Sequence, residues 1–272
     1  MKICRFTSTA HTAAPRYAAL DESENSLRPF VGDDPFVSDP ALEENPIMLS
    51  QVNLLAPVAP SKIVCVGRNY KDHAAELGNP LPPEPLLFLK PPSSIIANGE
   101  AILLPTQSAQ VEHEGELGVV IGRMARLLND AADPLDYVFG YTIVNDVTAR
   151  DLQRKDIQFT RAKSFDSFCP VGTFIVTDFD PANARIETRV NDVMKQQAST
   201  SAMIFSVAEI VRYIANIMTL LPGDLIATGT PAGVSRLSDG DFVEVEIEGI
   251  GVLRNSVQSG AAASVGTSVR AD

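Results

Sequence analysis

The chain has 272 residues, of which 45% are hydrophobic, and a formal net charge of -12 at pH 7. That length can bury the core of one large domain, or of a main domain with a small companion. This negative net charge argues against a nucleic-acid-binding protein, because such proteins neutralise phosphates with a basic face. The sequence contains no run of about 18 apolar residues, so it predicts no membrane-spanning helix.

The first segment, residues 1–58, is polar and rich in proline, and it predicts a small N-terminal accessory domain of short strands. Its opening stretch MKICRF alternates in polarity, as a first strand does. The alternative is a transit peptide, because Lys2, Arg5 and Arg16 precede the first acidic residue, Asp21. An apolar segment typical of secretory signals is missing from this region.

The chain contains three cysteines, Cys4, Cys65 and Cys169. They are too few and too scattered for a disulfide framework or a zinc site. We therefore expect a cytoplasmic protein that has neither a nucleic-acid partner nor a membrane segment.

From residue 59 onward, apolar segments of strand length follow one another. The predicted strands are 63–66, 86–89, 117–121, 137–144, 171–176, 224–227 and 242–247. Two segments predict helices: residues 203–220, with apolar positions 204, 207, 210, 211, 214 and 217, and the more polar 147–157. Strands outnumber helices without alternating regularly with them, so residues 59–272 predict a strand-rich α+β domain and not a doubly wound sheet.

His73 and Glu76 lie three residues apart on a predicted short helix that Gly78 and Pro80 end. At this spacing the carboxylate can orient and charge-stabilise the imidazole, as in a general base that deprotonates water. The alternative is an ordinary His–Glu pair on the surface. Because so short a helix is marginally stable alone, ligand binding could be what orders it.

Glu114 and Glu116 stand one residue apart at the start of an apolar run. On a strand they point to one face, while Leu117, Val119 and Ile121 point to the other. Like charges this close repel unless a cation lies between them, and oxygen ligands select Mg²⁺, Mn²⁺ or Ca²⁺ over zinc. The alternative is a strand end whose charges are solvated.

Asp146 supplies a third carboxylate, where an apolar strand passes into the polar segment 147–157. If a helix begins there, Asp146, Arg150 and Gln153 share one of its faces. The alternative is an N-cap aspartate followed by a surface arginine. Two glutamates alone are too few ligands for a metal site, and Asp146 would add a third carboxylate.

Six motifs occur in the order found in the fumarylacetoacetate hydrolase family, which the chain resembles over roughly residues 59–257. They are GRNYKDHAAELG, HEGELGVVIG, GYTIVNDVTARDLQ, AKSFDSFCPVG, MIFSVAEIVRYI and LLPGDLIATGTPAGV. The arrangement is most similar to the short acylpyruvase and oxaloacetate decarboxylase branch. The resemblance implies a mixed β-roll, usually a homodimer, that acts on a small 2-oxo acid.

The resemblance also implies a metal site. Glu114, Glu116 and Asp146 would bind Mg²⁺ or Mn²⁺, with Ca²⁺ as a substitute in crystals, and Arg150 would brace Asp146. The prototype hydrolase has a further upstream aspartate with no clear counterpart here, so water molecules are expected to complete the coordination shell.

The remaining implied site residues are catalytic or contact the substrate. His73 and Glu76 would form a water-activating dyad on a lid, and Lys163 is the site lysine of the family. Gln153 would lie beside the substrate, and Thr230 would hold a substrate oxygen.

Other positions near the motifs are less directly assigned. Residues 93–98 could line the pocket near Lys90, and Phe159 stands where many relatives carry tryptophan, which would alter the shape of the pocket. His113 precedes the predicted ligands and is interpreted as structural.

A metal held by three carboxylates leaves positions that a 2-oxo acid can occupy with its carboxylate and keto oxygens. The implied reaction is hydrolysis of a carbon–carbon bond in an acylpyruvate-type 2,4-dioxo acid, releasing pyruvate and a carboxylic acid. The alternatives are decarboxylation of oxaloacetate and isomerisation or hydration of dienoic 2-oxo acids from aromatic degradation. A catalytically silent homologue that binds a 2-oxo acid is a further alternative.

Overall fold

The computed structural model describes residues 1–8, 14–32, 34–36, 40–76, 78 and 80–260. Within these ranges the strands are β1 (Lys2–Ser8), β2 (Arg16–Asp21), β3 (Ser26–Pro29), β4 (Ile47–Met48), β5 (Val52–Leu55), β6 (Ile63–Gly67), β7 (Leu86–Lys90), β8 (Ile95–Ile96), β9 (Ala101–Leu104), β10 (Val111–Glu112), β11 (Gly115–Ile121), β12 (Val138–Asn145), β13 (Thr148–Ala149), β14 (Cys169–Pro170), β15 (Ile175–Val176), β16 (Arg185–Val190), β17 (Val193–Ser199), β18 (Leu225–Ala227), β19 (Phe242–Ile247) and β20 (Gly251–Ser259).

The α-helices of the described residues are short: α1 (Lys71–Glu76), α2 (Arg150–Lys155), α3 (Thr160–Lys163) and α4 (Val207–Ala215). Single 3₁₀ turns cover Leu49–Gln51, Pro92–Ser94, Pro134–Tyr137 and Thr200–Ala202. The predicted strand-rich α+β fold is therefore confirmed. In the described part of the chain, no helix is long and apolar enough to cross a bilayer.

The largest sheet contains eleven strands of the described residues, in the order β4-β3-β2-β1-β15-β12-β11-β18-β6-β7, with β5 also paired to β1. A second sheet has the order β17-β16-β19-β20-β9. The first sheet includes strands from both predicted domains, because β1 pairs with β15 through Lys2–Val176 and Ile3–Ile175. The stretch MKICRF is thus part of a strand, and the domain boundary after residue 58 stays a prediction.

The centre of the large sheet brings four strand ends together. Strand β11 is antiparallel to β12, with Gly115 opposite Asn145, and antiparallel to β18, with Gly118 opposite Ala227. Strand β18 is parallel to β6, with Ala227 opposite Cys65. The start of β11 and the ends of β12, β18 and β6 therefore meet at one edge of the sheet.

Strand β11 is buried on both faces. As predicted, Leu117, Val119 and Ile121 enter one apolar cluster, which also contains residues of α4 and of the second sheet. The opposite face, however, is also buried, because Val120 packs into a second cluster with Cys65. Glu116 therefore lies within the protein interior and not at a solvated strand end.

Helix α4 is shorter than the predicted segment 203–220. Ser206 caps its N-terminus, because its hydroxyl accepts from the Glu209 N–H while the Glu209 carboxylate accepts from the Ser206 N–H. Asn216 caps the other end. Ile204 consequently precedes the helix, and Ile217 follows it and is 57% exposed.

The other predicted strands are present except for 171–176, which forms a strand only at Ile175–Val176. Before it, Val171 forms an isolated bridge to Val144 of β12 and the Gly172 N–H donates to Ile143 O of that strand, while the Val171 N–H donates to Ile96 O of β8. The three cysteines are free and buried.

Candidate active site

Three buried carboxylates meet where β11 begins and β12 ends. Glu114, Glu116 and Asp146 each offer one oxygen, and these oxygens lie within 4.8 Å of one another. The backbone holds them there, because the Asp146 N–H donates to Glu114 O at 2.8 Å and the Glu114 N–H donates to Asn145 Oδ1 at 2.9 Å. The structure thus brings together all three residues that the sequence predicted as metal ligands.

Lysines bridge two of these carboxylates. Lys163 Nζ lies 2.6 Å from both Glu114 Oε2 and Asp146 Oδ2, and Lys90 Nζ lies 2.6 Å from Asp146 Oδ1. Burial alone would lower the pKa of Lys163, but Asp146 and Glu114 outweigh it and raise that pKa. Lys163 therefore stays an ammonium group.

Arg150 does not brace Asp146, so this prediction was wrong. Its guanidinium donates to Glu114 Oε1 and, at 2.7 Å, to Glu112 Oε2. The cause is the start of α2, which lies at Arg150 with Ala149 as its N-cap, so Asp146 is neither part of the helix nor its cap. Lys90 occupies the place beside Asp146 that the sequence analysis gave to the arginine.

Gln153 lies on α2 next to Arg150, whose Nη1 donates to Gln153 Oε1 at 2.5 Å. The two residues line the same cavity as the carboxylates. Gln153 is therefore available beside any molecule bound there, with its amide oriented by the arginine.

Glu116 carries the least compensated charge of the three carboxylates. Its Oε2 accepts from the Gly229 N–H at 2.7 Å, and among the described residues it takes part in no ion pair. Burial raises its pKa well above the ordinary value, and Asp146 and Glu114 raise it further. Burial also raises the pKa of Glu114, but Lys163 and Arg150 outweigh it and lower that pKa.

The donor set fits a hard divalent cation. Three oxygens at short mutual distance match the ligand preference of Mg²⁺, Mn²⁺ and Ca²⁺. A bound cation would also compensate the charge of Glu116, which forms no ion pair among the described residues. Glu114, Glu116 and Asp146 are thus the residues that would hold it.

The predicted His–Glu dyad is formed on α1. His73 Nδ1 lies 3.2 Å from Glu76 Oε2, and the Gly233 N–H donates to Glu76 Oε1 at 3.0 Å. His73 is only 4% exposed, so the alternative of a surface pair does not hold for the imidazole. As predicted, the helix ends before Gly78, which has a φ of 66°. Ordering of this segment by ligand stays a prediction.

Thr230 follows β18 and reaches the start of β11. Its hydroxyl donates to Gly115 O at 2.9 Å and accepts from Gln196 Nε2 at 2.7 Å. The partner of Gln196 on its other side is His113, through Nδ1 at 3.2 Å, and Ser235 Oγ lies 2.9 Å from His113 Nε2. Burial lowers the pKa of His113 to about 4, so the imidazole is neutral, and it links the side chains of Gln196 and Ser235, as its structural interpretation expects.

One cavity of about 220 Å³ collects these side chains. Its walls include the site residues His73, Glu114, Glu116, Asp146, Arg150, Gln153, Lys163 and Thr230. Phe159 lines it too, and its ring stacks edge-on with Phe88 at 5.6 Å, while Lys163 Nζ lies 5.0 Å from the centre of the Phe88 ring. Residues 93–98 are not among the lining residues. The volume is below the roughly 300–1,000 Å³ of drug-sized pockets, which favours a small ligand.

The sequence of the chain matches a known family model over residues 62–258, described as "Fumarylacetoacetate (FAA) hydrolase C-terminal". The chain belongs to the fumarylacetoacetate hydrolase family. Residues 1–57 match a second model, described as "Rv2993c-like, N-terminal". The predicted domain boundary, between 58 and 59, falls between the two matched ranges.

Relatives of this chain are named as enzymes that catalyse different reactions. The oxaloacetate tautomerase YisK of Bacillus subtilis is 42% identical, over 77% of this chain and 74% of YisK. The crystal structure of a 2-hydroxyhepta-2,4-diene-1,7-dioate isomerase from Mycobacterium marinum is 45% identical, with a TM-score of 0.85, over 95% of this chain and 98% of that one. The fumarylpyruvate hydrolase of Pseudomonas aeruginosa, in complex with Mn²⁺ and pyruvate, is 31% identical, with a TM-score of 0.71, over 76% and 92% of the two chains.

Two charged residues of the site, Lys90 and Glu112, had no role predicted from the sequence. Lys90 is fully buried against Asp146, and Glu112 holds the Arg150 guanidinium. A signal existed for Lys90, because a lysine that ends the apolar strand LLFLK must find an acidic partner if the strand is buried. Glu112 precedes the two ligand glutamates, but only the fold shows that it contacts α2.

We expect the metal-free protein to lose stability as the pH rises, because the folded state holds a proton on Glu116 that the unfolded state releases. This contribution is complete below the unfolded pKa of about 4.3 and is lost as the pH rises towards the raised folded pKa. Glu116→Gln keeps an acceptor for Gly229 but has no proton to lose. It should therefore be more stable than the parent at pH 7 and equal to it near pH 4.

Urea unfolding of both proteins in a chelator, from pH 4 to pH 8, measures this difference. A variant less stable than the parent throughout that range would show that burial of Glu116 is not the destabilising feature.

We also expect Gly229→Ala to disturb the loop that meets Glu116. Gly229 has a φ of 104°, and a Cβ atom there would lie 2.6 Å from Asn69 Cβ and 3.1 Å from Val66 O. The substitution should lower the free energy of unfolding by about 2–3 kcal/mol, from strain plus overpacking. Gly240→Ala is the matched control, because its φ is 85° but nothing lies within 4 Å. Equal losses in the two variants, measured by urea unfolding, would contradict the close approach as the cause.

Proposed function

We propose that this enzyme interconverts the keto and enol forms of a small 2-oxo acid of the oxaloacetate type in a metal-dependent reaction. The observation that carries the proposal is the His73 imidazole, fixed by Glu76, in the same small cavity as three carboxylates and Lys163. This arrangement has the parts needed to remove a proton next to a carbonyl and to stabilise the resulting enolate.

A divalent ion held by Glu114, Glu116 and Asp146 would supply Lewis acidity that favours negative charge on the keto oxygen of the substrate. The protein side chains account for the remaining chemistry. Lys163, which stays protonated, adds positive charge beside the same site. Gln153 and Thr230 line the cavity, where the Gln153 amide would donate to a substrate oxygen and the Thr230 hydroxyl would do so by exchanging its hydrogen bond to Gly115 O.

His73 is the proposed proton carrier. With Nδ1 engaged by the Glu76 carboxylate, Nε2 is the nitrogen left to act as a base. It would take a proton from the carbon next to the keto group and deliver it to the oxygen, so that the net change is one proton moved from carbon to oxygen. The reverse path converts the enol back to the keto acid.

Hydrolysis of an acylpyruvate-type acid is the second candidate, and the sequence analysis placed it first. The same dyad favours it, because His73 could instead deprotonate a water molecule that attacks the distal carbonyl. The carbon–carbon bond then breaks, and pyruvate leaves as its enolate and takes up the proton. The cavity of about 220 Å³ and the two relatives named tautomerase and isomerase, which are the more similar to this chain, support tautomerisation as the first candidate.

A Mg²⁺-dependent comparison of substrates tests the proposal. Oxaloacetate, an acylpyruvate and a dienoic 2-oxo acid would be followed by enol absorbance and by release of pyruvate. Tautomerisation predicts faster loss of the oxaloacetate enol without pyruvate. Pyruvate plus a carboxylic acid from the acylpyruvate would favour hydrolysis, and pyruvate from oxaloacetate would favour decarboxylation. No effect on any of these acids would refute both candidates.

We further propose that the enzyme works as a homodimer in the cytoplasm, as the sequence predicts. Light scattering during size-exclusion chromatography tests the oligomeric part, because a molar mass equal to that of one chain would refute it.

A further inference from the structure

Within the described residues, one arginine of the cavity wall, Arg68, has neither a hydrogen bond nor an ion pair. Arg68, Arg150, Arg154 and Lys163 line the cavity. Arg150 and Lys163 are held by Glu114, and Arg154 Nη1 donates to Gln110 Oε1 at 3.1 Å. The Arg68 guanidinium can therefore take an anion with all its donors, whereas Arg154 already uses one donor on the neutral Gln110 amide.

The backbone at Arg68 is held in an unusual conformation. Its φ is 59°, in the left-handed region that arginine rarely adopts. Neighbouring contacts impose it: Asn69 is fully buried, and its amide donates to Thr228 O at 2.8 Å and to Phe205 O at 3.0 Å. The loop after β6 is thus pinned to the loop after β18, and Arg68 is half-buried at the cavity wall. Such strain is typical of functional sites.

A free cation in the cavity could serve as the counterion of a second substrate carboxylate. At the carboxylate end, Lys90, Lys163 and Arg150 are already engaged by Asp146 and Glu114, so the second carboxylate of a dicarboxylic substrate needs another cation as its counterion. One carboxylate and the keto oxygen would be bound at the metal end. The second carboxylate of a four-carbon acid would otherwise lie in the cavity without a counterion, which is unfavourable.

We propose that Arg68 binds the distal carboxylate of the substrate and so selects dicarboxylic over monocarboxylic 2-oxo acids. This rests on the proposed function, in that the substrate is a small 2-oxo acid. A guanidinium offers two parallel N–H donors that match a carboxylate, whereas a lysine offers only a point charge. Arg68 is thereby a specificity-determining residue that acts at the end of the substrate away from the reacting carbon.

Binding of three ligands to the Mg²⁺-loaded protein tests this assignment. Oxalate has no group to reach Arg68, while oxaloacetate and 2-oxobutanoate have the same carbon count and differ in a terminal carboxylate or methyl. Arg68→Gln should weaken oxaloacetate at least about tenfold and leave oxalate and 2-oxobutanoate within about twofold. Arg68→Lys should keep part of the preference for oxaloacetate. Arg126→Gln, at an exposed arginine that does not line this cavity, is the control and should change none of the three.

Two results would overturn the inference: oxaloacetate and 2-oxobutanoate weakened alike by Arg68→Gln, or neither affected. The failure of this inference is distinguishable from that of the proposed function. Loss of the oxaloacetate preference in Arg68→Gln together with an inert parent enzyme would refute only the function. Full turnover with unchanged selectivity in Arg68→Gln would refute only the role of Arg68.

Discussion

Glu116→Gln is expected to lower kcat/KM for the 2-oxo acid substrate at least about a thousandfold, or ~4 kcal/mol of transition-state stabilisation. The physical reason is that Glu116 is the carboxylate without a lysine or arginine partner in the described residues, so its charge is the one that a bound cation compensates. Glutamine keeps the acceptor for Gly229 and removes that charge. Chelation of the parent enzyme should have the same effect, and added Mg²⁺ or Mn²⁺ should restore only the parent.

The measurements are steady-state rates with and without chelator, and Mn²⁺ affinity by calorimetry. Glu187→Gln is the matched control, because this glutamate is also buried in a strand but pairs with Arg189 away from the cavity. The control should keep the parental affinity for Mn²⁺. Activity that survives both chelation and Glu116→Gln would refute the metal mechanism. Since the same substitution should stabilise the metal-free protein at pH 7, a loss of activity through unfolding would also be recognised.

His73→Ala is expected to lower kcat about 10²–10⁴-fold, the usual contribution of a positioned acid–base group. Mn²⁺ affinity should stay within about twofold of the parent, because His73 is not among the three residues that would hold the ion. Glu76→Gln should lose less than His73→Ala, because an amide oxygen can still accept from the Gly233 N–H while the charge beside the imidazole is removed. Substrate loss is followed under the same conditions for all variants.

Asp72→Ala is the control for α1, because this residue neighbours His73 on the same helix but is exposed. It should keep the parental kcat. A His73→Ala variant that turns over substrate at the parental rate would show that the base lies elsewhere. A variant that also loses Mn²⁺ affinity would show that the substitution disturbs the carboxylate cluster and not only the proton transfer.

Much of the site could be predicted because the residues of each candidate pair lie close together in the sequence. Two glutamates one residue apart on a strand, and a histidine three residues before a glutamate on a helix, have their relative geometry set by local periodicity. Both pairs are close in the structure, as expected. The roles assigned to them stay predictions until the variants above are measured.

Local patterns failed where an element began or ended at an unexpected residue. Asp146, Arg150 and Gln153 were expected to share a helix face if the helix starts at the aspartate, whereas α2 starts at the arginine. Likewise, the strand predicted at 171–176 is reduced to Ile175–Val176, and the Val171 N–H before it donates to Ile96 O of β8. Competing tertiary hydrogen bonds decide such boundaries, and short-range spacing does not contain them.

The sequence by itself determined the strand-rich fold class, the family resemblance and the identity of the three candidate ligands, because ligand chemistry and alternation along a strand are local properties. Only the tertiary structure decided which cation compensates which carboxylate. Lys90 meets Asp146 across 56 residues of chain, and Lys163 meets Glu114 across 49. It also decided that Arg68 lines the cavity with no hydrogen bond or ion pair to the residues that the structure describes. The reason is that Coulomb interactions depend on distance in space, and folding brings these side chains together from separate strands and helices.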